Sequence, residues 1–190
     1  DLVSMYKGFR CKTVIHEDDL LEIVYTSGTT SDPKGVMITH KNIVANIQAL
    51  EKTMVLRGLR FLSMAPLSHL LEQTCGFLIP LWFQDTVVYT FSRRSSVMVE
   101  AFVEEKITSI VTVPAFMMTL KGKIEAKVTE MGKAEKLGKL MKKTASWPLT
   151  LRRVLFSPLR KKFPALRHIF VGGAPLHEDV ERFWLTIGVE

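Results

Sequence analysis

Residues 23–35 read Ile23-Val24-Tyr25-Thr26-Ser27-Gly28-Thr29-Thr30-Ser31-Asp32-Pro33-Lys34-Gly35. Five hydroxyls, those of Thr26, Ser27, Thr29, Thr30 and Ser31, fall within six positions. Gly28 lets the backbone approach a ligand closely or take a positive φ. Pro33 stiffens the exit and Lys34 supplies one cation. Hydroxyls, free backbone N–H groups and a lysine are the equipment of a polyphosphate cradle. The stretch is not a Walker A loop, in which the lysine follows the second glycine and Ser or Thr comes next. Here Lys34 precedes Gly35, and Val36-Met37-Ile38 continues as a strand. The pattern therefore predicts a hairpin loop between strands Glu22–Thr26 and Gly35–Thr39. Its bland alternative is a polar surface turn, since the same residue types favour turns; the number of hydroxyls and the Pro-Lys-Gly exit favour the cradle.

Outward from this loop, short apolar runs alternate with helical patterns. Lys41–Val55 is predicted helical, because Ile43, Ile47, Leu50 and Met54 step by four, three and four. Arg60–Met64 reads as a strand halted by Pro66. His69–Leu81 reads as a largely buried helix, interrupted late by Pro80. Thr86–Thr90 is a strand, and Ser95–Lys106 a helix with Ser95 or Ser96 as N-cap. Thr108–Val113 is a strand rich in β-branched residues, and Pro114 opens the next helix. Arg167–Val171 is a strand running into Gly172-Gly173. His177–Ile187 closes the chain as a helix with Glu178, Asp179 and Glu181 in its first turns. Such alternation predicts an α/β fold, a mostly parallel sheet with helices on both faces. Ligands of such sheets sit beyond the carboxyl ends of the strands, which singles out the loops after Thr26 and Val171.

The 190 residues carry 26 Lys and Arg against 19 Asp and Glu, a net charge of +7, with 47% hydrophobic and 24% charged residues. These are globular values and exclude disorder of the chain as a whole. The charge is concentrated. Residues 121–162 hold 13 basic and 3 acidic side chains, whereas the other 148 hold 13 and 16. A near-neutral body with one basic segment argues against a nucleic-acid-binding domain. The apolar stretches Phe77–Phe83 and Ile110–Leu120 are too short to span a bilayer. Cys11 and Cys75 form no CxxC pair, and the five histidines (16, 40, 69, 168 and 177) make no HxxxH or HExxH. Two reduced thiols and no dedicated transition-metal site are expected. The first residue is Asp1, so a missing or processed beginning is expected.

YTSGTTSDPKG (residues 25–35) resembles the phosphate-binding loop of the adenylate-forming superfamily, which includes acyl-CoA synthetases, luciferases and peptide-synthetase adenylation domains. Most members have Gly where this chain has Ser31. Ala65-Pro-Leu-Ser-His-Leu-Leu-Glu72 resembles the family's Pro-Leu-x-His segment near the acyl site, and Val171-Gly-Gly-Ala-Pro-Leu176 the segment that packs on adenine. All three occur in family order. Residues 151–176, preceded by the long basic segment, resemble long-chain fatty acyl-CoA synthetases in particular.

The resemblance implies an ATP-dependent, AMP-forming ligase that adenylates a long-chain fatty acid and transfers it to CoA. A fatty acyl-AMP ligase, an acyl–carrier-protein synthetase, or a non-catalytic membrane- or nucleotide-binding module are the rivals. It implies that Thr26 through Ser31 (Thr26, Ser27, Gly28, Thr29, Thr30, Ser31) and Lys34 hold the β- and γ-phosphates of ATP, with Thr26 the contact to Mg2+. Lys34 would otherwise be a solvated turn lysine. His69 is placed by the substrate carboxylate and α-phosphate, and would otherwise cap or pack its helix. Gly172, Gly173, Ala174 and Pro175 would line the adenine, or else form an ordinary tight turn. The family's metal-binding glutamate, ribose-binding aspartate and C-terminal lysine have no counterpart in these 190 residues. The chain thus reads as a central fragment of an N-terminal AMP-binding domain, inactive by itself. The basic segment reads as a solvated helix face, as a peripheral membrane surface carrying Leu149, Leu151, Val154, Leu155 and Leu159 among arginines and lysines, or as an attractor of CoA or ATP. The expected setting is cytoplasmic, on the inner face of a membrane where that surface is used.

Overall fold

The computed structural model describes residues 5, 7–8, 12–26, 33–52, 57–92 and 94–190. It divides into two compact units, Asp1–Val55 and Leu56–Glu190.

In the first unit, β1 (Leu20–Thr26) and β2 (Lys34–Thr39) form an antiparallel pair in which Thr26 lies opposite Lys34 and Val24 opposite Val36. The predicted hairpin is thus present, and its loop residues 27–32 lie outside the described residues. Helix α1 (His40–Glu51) follows directly. Thr39 caps it reciprocally: the Asn42 N–H donates to Thr39 Oγ1 at 3.3 Å and the Thr39 N–H to Asn42 Oδ1 at 3.0 Å. This satisfies donors that the first helical turn leaves free. Ile43 and Ile47 are its buried residues, as their spacing requires. The helix ends at Glu51, and Met54 and Val55, expected at its end, lie outside the described residues.

The second unit is a four-stranded parallel sheet in the order β4-β3-β5-β6, made of β3 (Arg60–Leu62), β4 (Thr86–Val88), β5 (Ser109–Thr112) and β6 (His168–Val171). Successive residues of a strand face opposite sides, and here both sides are apolar. Leu62 and Ile110 join a large core with Phe102, Phe156, Phe163, Leu166, Phe183 and Trp184. Phe61 and Val111 face the other way, with Leu59, Leu71, Cys75 and Phe170. The α/β architecture with a covered parallel sheet is therefore as expected. Beyond β6, the Ile169 N–H donates to Glu190 O (2.7 Å) and the Glu190 N–H to Arg167 O (2.8 Å), so the chain leaving the last helix lies alongside β6.

Several boundaries depart from the sequence reading. β3, β4 and β5 stop short of Met64, Thr90 and Val113, because the chain turns out of the sheet into the loops above it. The helix expected over His69–Leu81 opens with a π-helical segment, Glu72–Leu78, in which the Ile79 N–H reaches Thr74 O. Pro80 does not interrupt it. The chain stays helical from Leu78 into α2 (Ile79–Trp82), with Pro80 as its second residue. Helix α3 (Ser95–Glu104) has Arg94 as its N-cap and no side-chain cap bond. Ser92 binds the turn before it, accepting from the Arg94 N–H at 3.3 Å.

The basic segment comprises most of α4 (Pro114–Glu130), then α5 (Ala134–Thr144), α6 (Leu149–Leu155) and a 3-10 turn, Ser157–Arg160. It is built into the fold. Leu137, Leu140, Met141, Leu155 and Leu159 pack against the large core, and Phe156 and Phe163 belong to it. Of the apolar positions grouped as one surface, only Leu151 and Val154 are strongly exposed, at 54% and 73%. Three arginines of this segment cap backbone carbonyls. Arg152 reaches Leu185 O (2.6 Å) and Arg153 Gly188 O (2.9 Å), both at the end of α7 (Glu178–Thr186). Arg160, 5% exposed, donates to Leu166 O. Cations suit a helix C-terminus, where carbonyls lack partners.

Candidate functional site

Two groups of predicted site residues can be placed, one in each unit. In the first, the β1–β2 register puts Thr26 and Lys34 across from one another at the mouth of the hydroxyl-rich loop. Thr26 Oγ1 donates to Lys34 O at 3.5 Å. Both residues are exposed. Gly35 follows, close against β1: a Cβ there would lie 3.0 Å from Ile23 Cγ2. Ser27, Gly28, Thr29, Thr30 and Ser31 lie outside the described residues.

In the second unit the site forms where the parallel strands end. β3 exits through Ser63–His69. The Ser63 N–H is bound to Val88 O (3.0 Å), and the His69 N–H to Pro66 O (3.0 Å), which folds the Pro-Leu-Ser-His segment into a turn and leaves His69 exposed. β6 exits through Gly172 and Gly173. The Gly172 N–H continues the ladder to Thr112 O (3.0 Å). Gly173 takes φ +83°, a conformation strained for any other residue. The two exits meet. A Cβ on residue 172 would lie 2.9 Å from Leu71 Cδ1, so a side chain there would displace Leu71 of the β3 exit from its place against the β6 exit. Val113, at the end of β5, lies 3.7 Å from the position of a Cβ on residue 173. Ala174 and Pro175 follow, both exposed. His69 and the Gly172–Pro175 segment are thus brought to one end of one sheet.

Beneath His69 lies a residue that the sequence reading quoted but gave no role. Glu72 is 2% exposed and its Oε1 accepts from the Met64 N–H at 3.2 Å. Its charge is felt nearby. Burial, and secondarily the Glu72 carboxylate, push the Cys75 thiol and the Tyr89 phenol up from their ordinary values. Cys75 is consequently a poor thiolate and a packing residue. The signal for Glu72 was present in Leu70-Leu71-Glu72: a carboxylate inside an apolar helical run, with Gly76 one turn later.

Among the described residues no group of three or more His, Cys, Asp or Glu could hold a metal ion. Thr26 offers one hydroxyl oxygen. That donor set suits an ion carried on a nucleotide's phosphates rather than one caged by protein.

The family model described as AMP-binding enzyme matches residues 7–190. Among curated proteins, the long-chain-fatty-acid–CoA ligase 1 of Cavia porcellus is 49% identical over 61 residues, 30% of this chain and 9% of its own. The long-chain-fatty-acid–CoA ligase ACSBG2 of Gallus gallus is 27% identical over 197 residues, 88% of this chain and 25% of its own. Among solved structures, the inhibitor-bound N-terminal domain of FACL13 from Mycobacterium tuberculosis superposes with a TM-score of 0.61 at 23% identity, covering 91% of this chain and 35% of that one. That likeness concerns the fold. The chain spans about a third or less of the length of each of these proteins.

Proposed function

Because this chain belongs to the AMP-binding enzyme family, we propose that the full-length protein activates a long-chain fatty acid with ATP and passes the acyl group to CoA. The observation that carries this reading is the meeting of the His69-bearing exit of β3 with the Gly172-Gly173 exit of β6 across Leu71, at the sheet end where α/β folds bind ligands. The names of the relatives supply the acid and the acceptor.

In this reading a carboxylate oxygen attacks the α-phosphorus of ATP and pyrophosphate departs. The CoA sulfur then attacks the acyl carbon of the mixed anhydride, AMP leaves, and a thioester forms. Negative charge gathers on phosphoryl oxygens in the first step, so placed donors and a cation lower its barrier most. Lys34 and the hydroxyls from Thr26 to Ser31 would hold the β- and γ-phosphates. Thr26 is the residue of this chain that would touch Mg2+, which would supply charge neutralisation at the phosphates. His69 orients the carboxylate beside the α-phosphate. The Gly172-Gly173 turn would bring its backbone against the flat adenine, with Leu71 filling the side-chain position of Gly172 behind it, and Ala174 and Pro175 would line the ring. The chain forms the central part of the AMP-binding domain. Leu151, Val154 and the exposed lysines of α5 make a peripheral contact with a membrane, where a long-chain acid resides.

The test is ATP–pyrophosphate exchange by the full-length protein with palmitate, followed by thioester formation with CoA or with acyl carrier protein. Exchange with CoA-dependent turnover supports the reading. Turnover with carrier protein alone would reassign the acceptor, and absence of exchange would remove the ligase reading. Lys34→Ala should lower exchange roughly 10- to 150-fold, the worth of a charge-assisted phosphate contact. The Lys34 side chain is exposed, so thermal stability should stay put.

A further inference from the structure

Glu72 is a carboxylate where packing alone calls for a hydrocarbon. It is 2% exposed, and a leucine of similar volume would avoid the cost of burying a charge. What the carboxylate adds is direction. Its Oε1 holds the N–H of Met64, eight residues back in the chain. Met64 lies just past Leu62, the last residue of β3, and Glu72 opens the π-helical segment. The bond therefore closes a loop that contains Pro66, Leu67, Ser68 and His69. Inside it, the His69 N–H to Pro66 O bond and the Gln73 N–H to His69 O bond, each 3.0 Å, set the backbone on either side of His69.

Gly76 makes the seat. A Cβ on residue 76 would lie 2.7 Å from Glu72 Oε1 and 2.8 Å from its Cδ, so a side chain there would have to displace the carboxylate from its seat. The widened turn of the π segment supports the same placement, and such segments recur at functional sites. The neighbour Leu71 fills the gap over Gly172. One short stretch of helix thus sets both the β3 exit and its contact with the β6 exit.

We propose that Glu72 is a positioning residue: seated over Gly76, its carboxylate ties the end of β3 to the following helix and fixes His69 for the adenylation step. This rests on the role given to His69 above.

The experiment uses the full-length protein and three variants, E72Q, E72L and G76A. Hydrogen exchange of the 64–69 amides is read beside kcat and KM for ATP–pyrophosphate exchange. E72L should speed exchange of that segment, and lower kcat, by about tenfold or more, the worth of a bond to a charged acceptor, while KM for ATP moves less than about threefold. E72Q keeps an acceptor oxygen and should stay within about threefold of wild type on both readouts. G76A retains Glu72 but evicts its carboxylate, so it should resemble E72L. Wild-type behaviour of E72L, or E72Q as impaired as E72L, would overturn the proposal. Should E72L fail to fold, G76A impaired beside an intact E72Q supports it, and both intact refutes it. A wild-type protein without pyrophosphate exchange refutes the ligase reading alone; the amide exchange then still decides whether Glu72 holds the segment.

Discussion

Leu71 occupies the space that a side chain at residue 172 would need: its Cδ1 and Cδ2 lie 2.9 Å and 3.3 Å from the position of a Cβ there. The loops leaving β3 and β6 therefore touch through one leucine and one glycine.

Gly172→Ala should consequently destabilise the protein by about 1–3 kcal/mol, the usual cost of forcing a methyl into a filled space. Leu71→Ala removes the obstruction, so the double variant should recover part of that loss. Thermal unfolding of the four proteins gives the coupling, expected at about 0.5–3 kcal/mol. Strict additivity would mean that the loops do not depend on this contact.

Arg160→Ala should cost about 2–4 kcal/mol. It strips a donor from Leu166 O and leaves a cavity beside a residue only 5% exposed. Arg160→Lys should not restore stability, because an ammonium is more strongly hydrated than a guanidinium and costs more to bury at a site only 5% exposed. By contrast, Lys161→Glu and Lys162→Glu, on exposed side chains, should change stability by no more than about 0.5 kcal/mol. Equal melting temperatures for Arg160→Ala and wild type would show that the carbonyl cap is dispensable. Charge reversal at Arg152 and Arg153 therefore cannot serve as a membrane-binding test, since it would also break the bonds to Leu185 and Gly188.

His168 gives stability a pH slope. Burial lowers its pKa below the usual histidine value; Arg153 and Arg167 act the same way, and Glu190, whose Oε2 lies 3.7 Å from Nδ1, opposes them. The unfolded chain then binds a proton first as pH falls, so folding must exclude it. Stability from this residue is complete above the ordinary histidine pKa and declines as pH drops through it toward the lower folded value. Between about pH 7.5 and pH 5.5, above the carboxylate range, the melting temperature should fall. His168→Phe should flatten that slope, and an unchanged slope in the variant would assign it elsewhere.

Much of this was legible in the sequence because the signals were local. The alternation around Gly35–Thr39, the β-branched run Thr108–Val113 and the proline opening α4 each act through neighbouring residues, and each element is present. The Gly172-Gly173 turn was legible for the same reason. The misreadings concern residues whose roles depend on distant partners. Arg152 and Arg153 look like a charged surface until the end of α7 is brought to them, since 33 and 35 residues separate each from its acceptor. Glu72 passes as one letter of a motif until folding sets Met64 above it. Ser95 and Ser96 are plausible caps by type, but the helix already begins at Ser95, with Arg94 as its N-cap.

The cationic segment uses its two kinds of base differently. Lys136, Lys139, Lys142 and Lys143 stand exposed along α5, whereas Arg152, Arg153 and Arg160 are spent on carbonyls within the fold. Amine chemistry separates the two populations. Acetylation neutralises an ammonium and leaves a guanidinium untouched. A heavily acetylated chain would therefore lose the charge it shows to solvent along α5 while the arginine seams behind it stay closed.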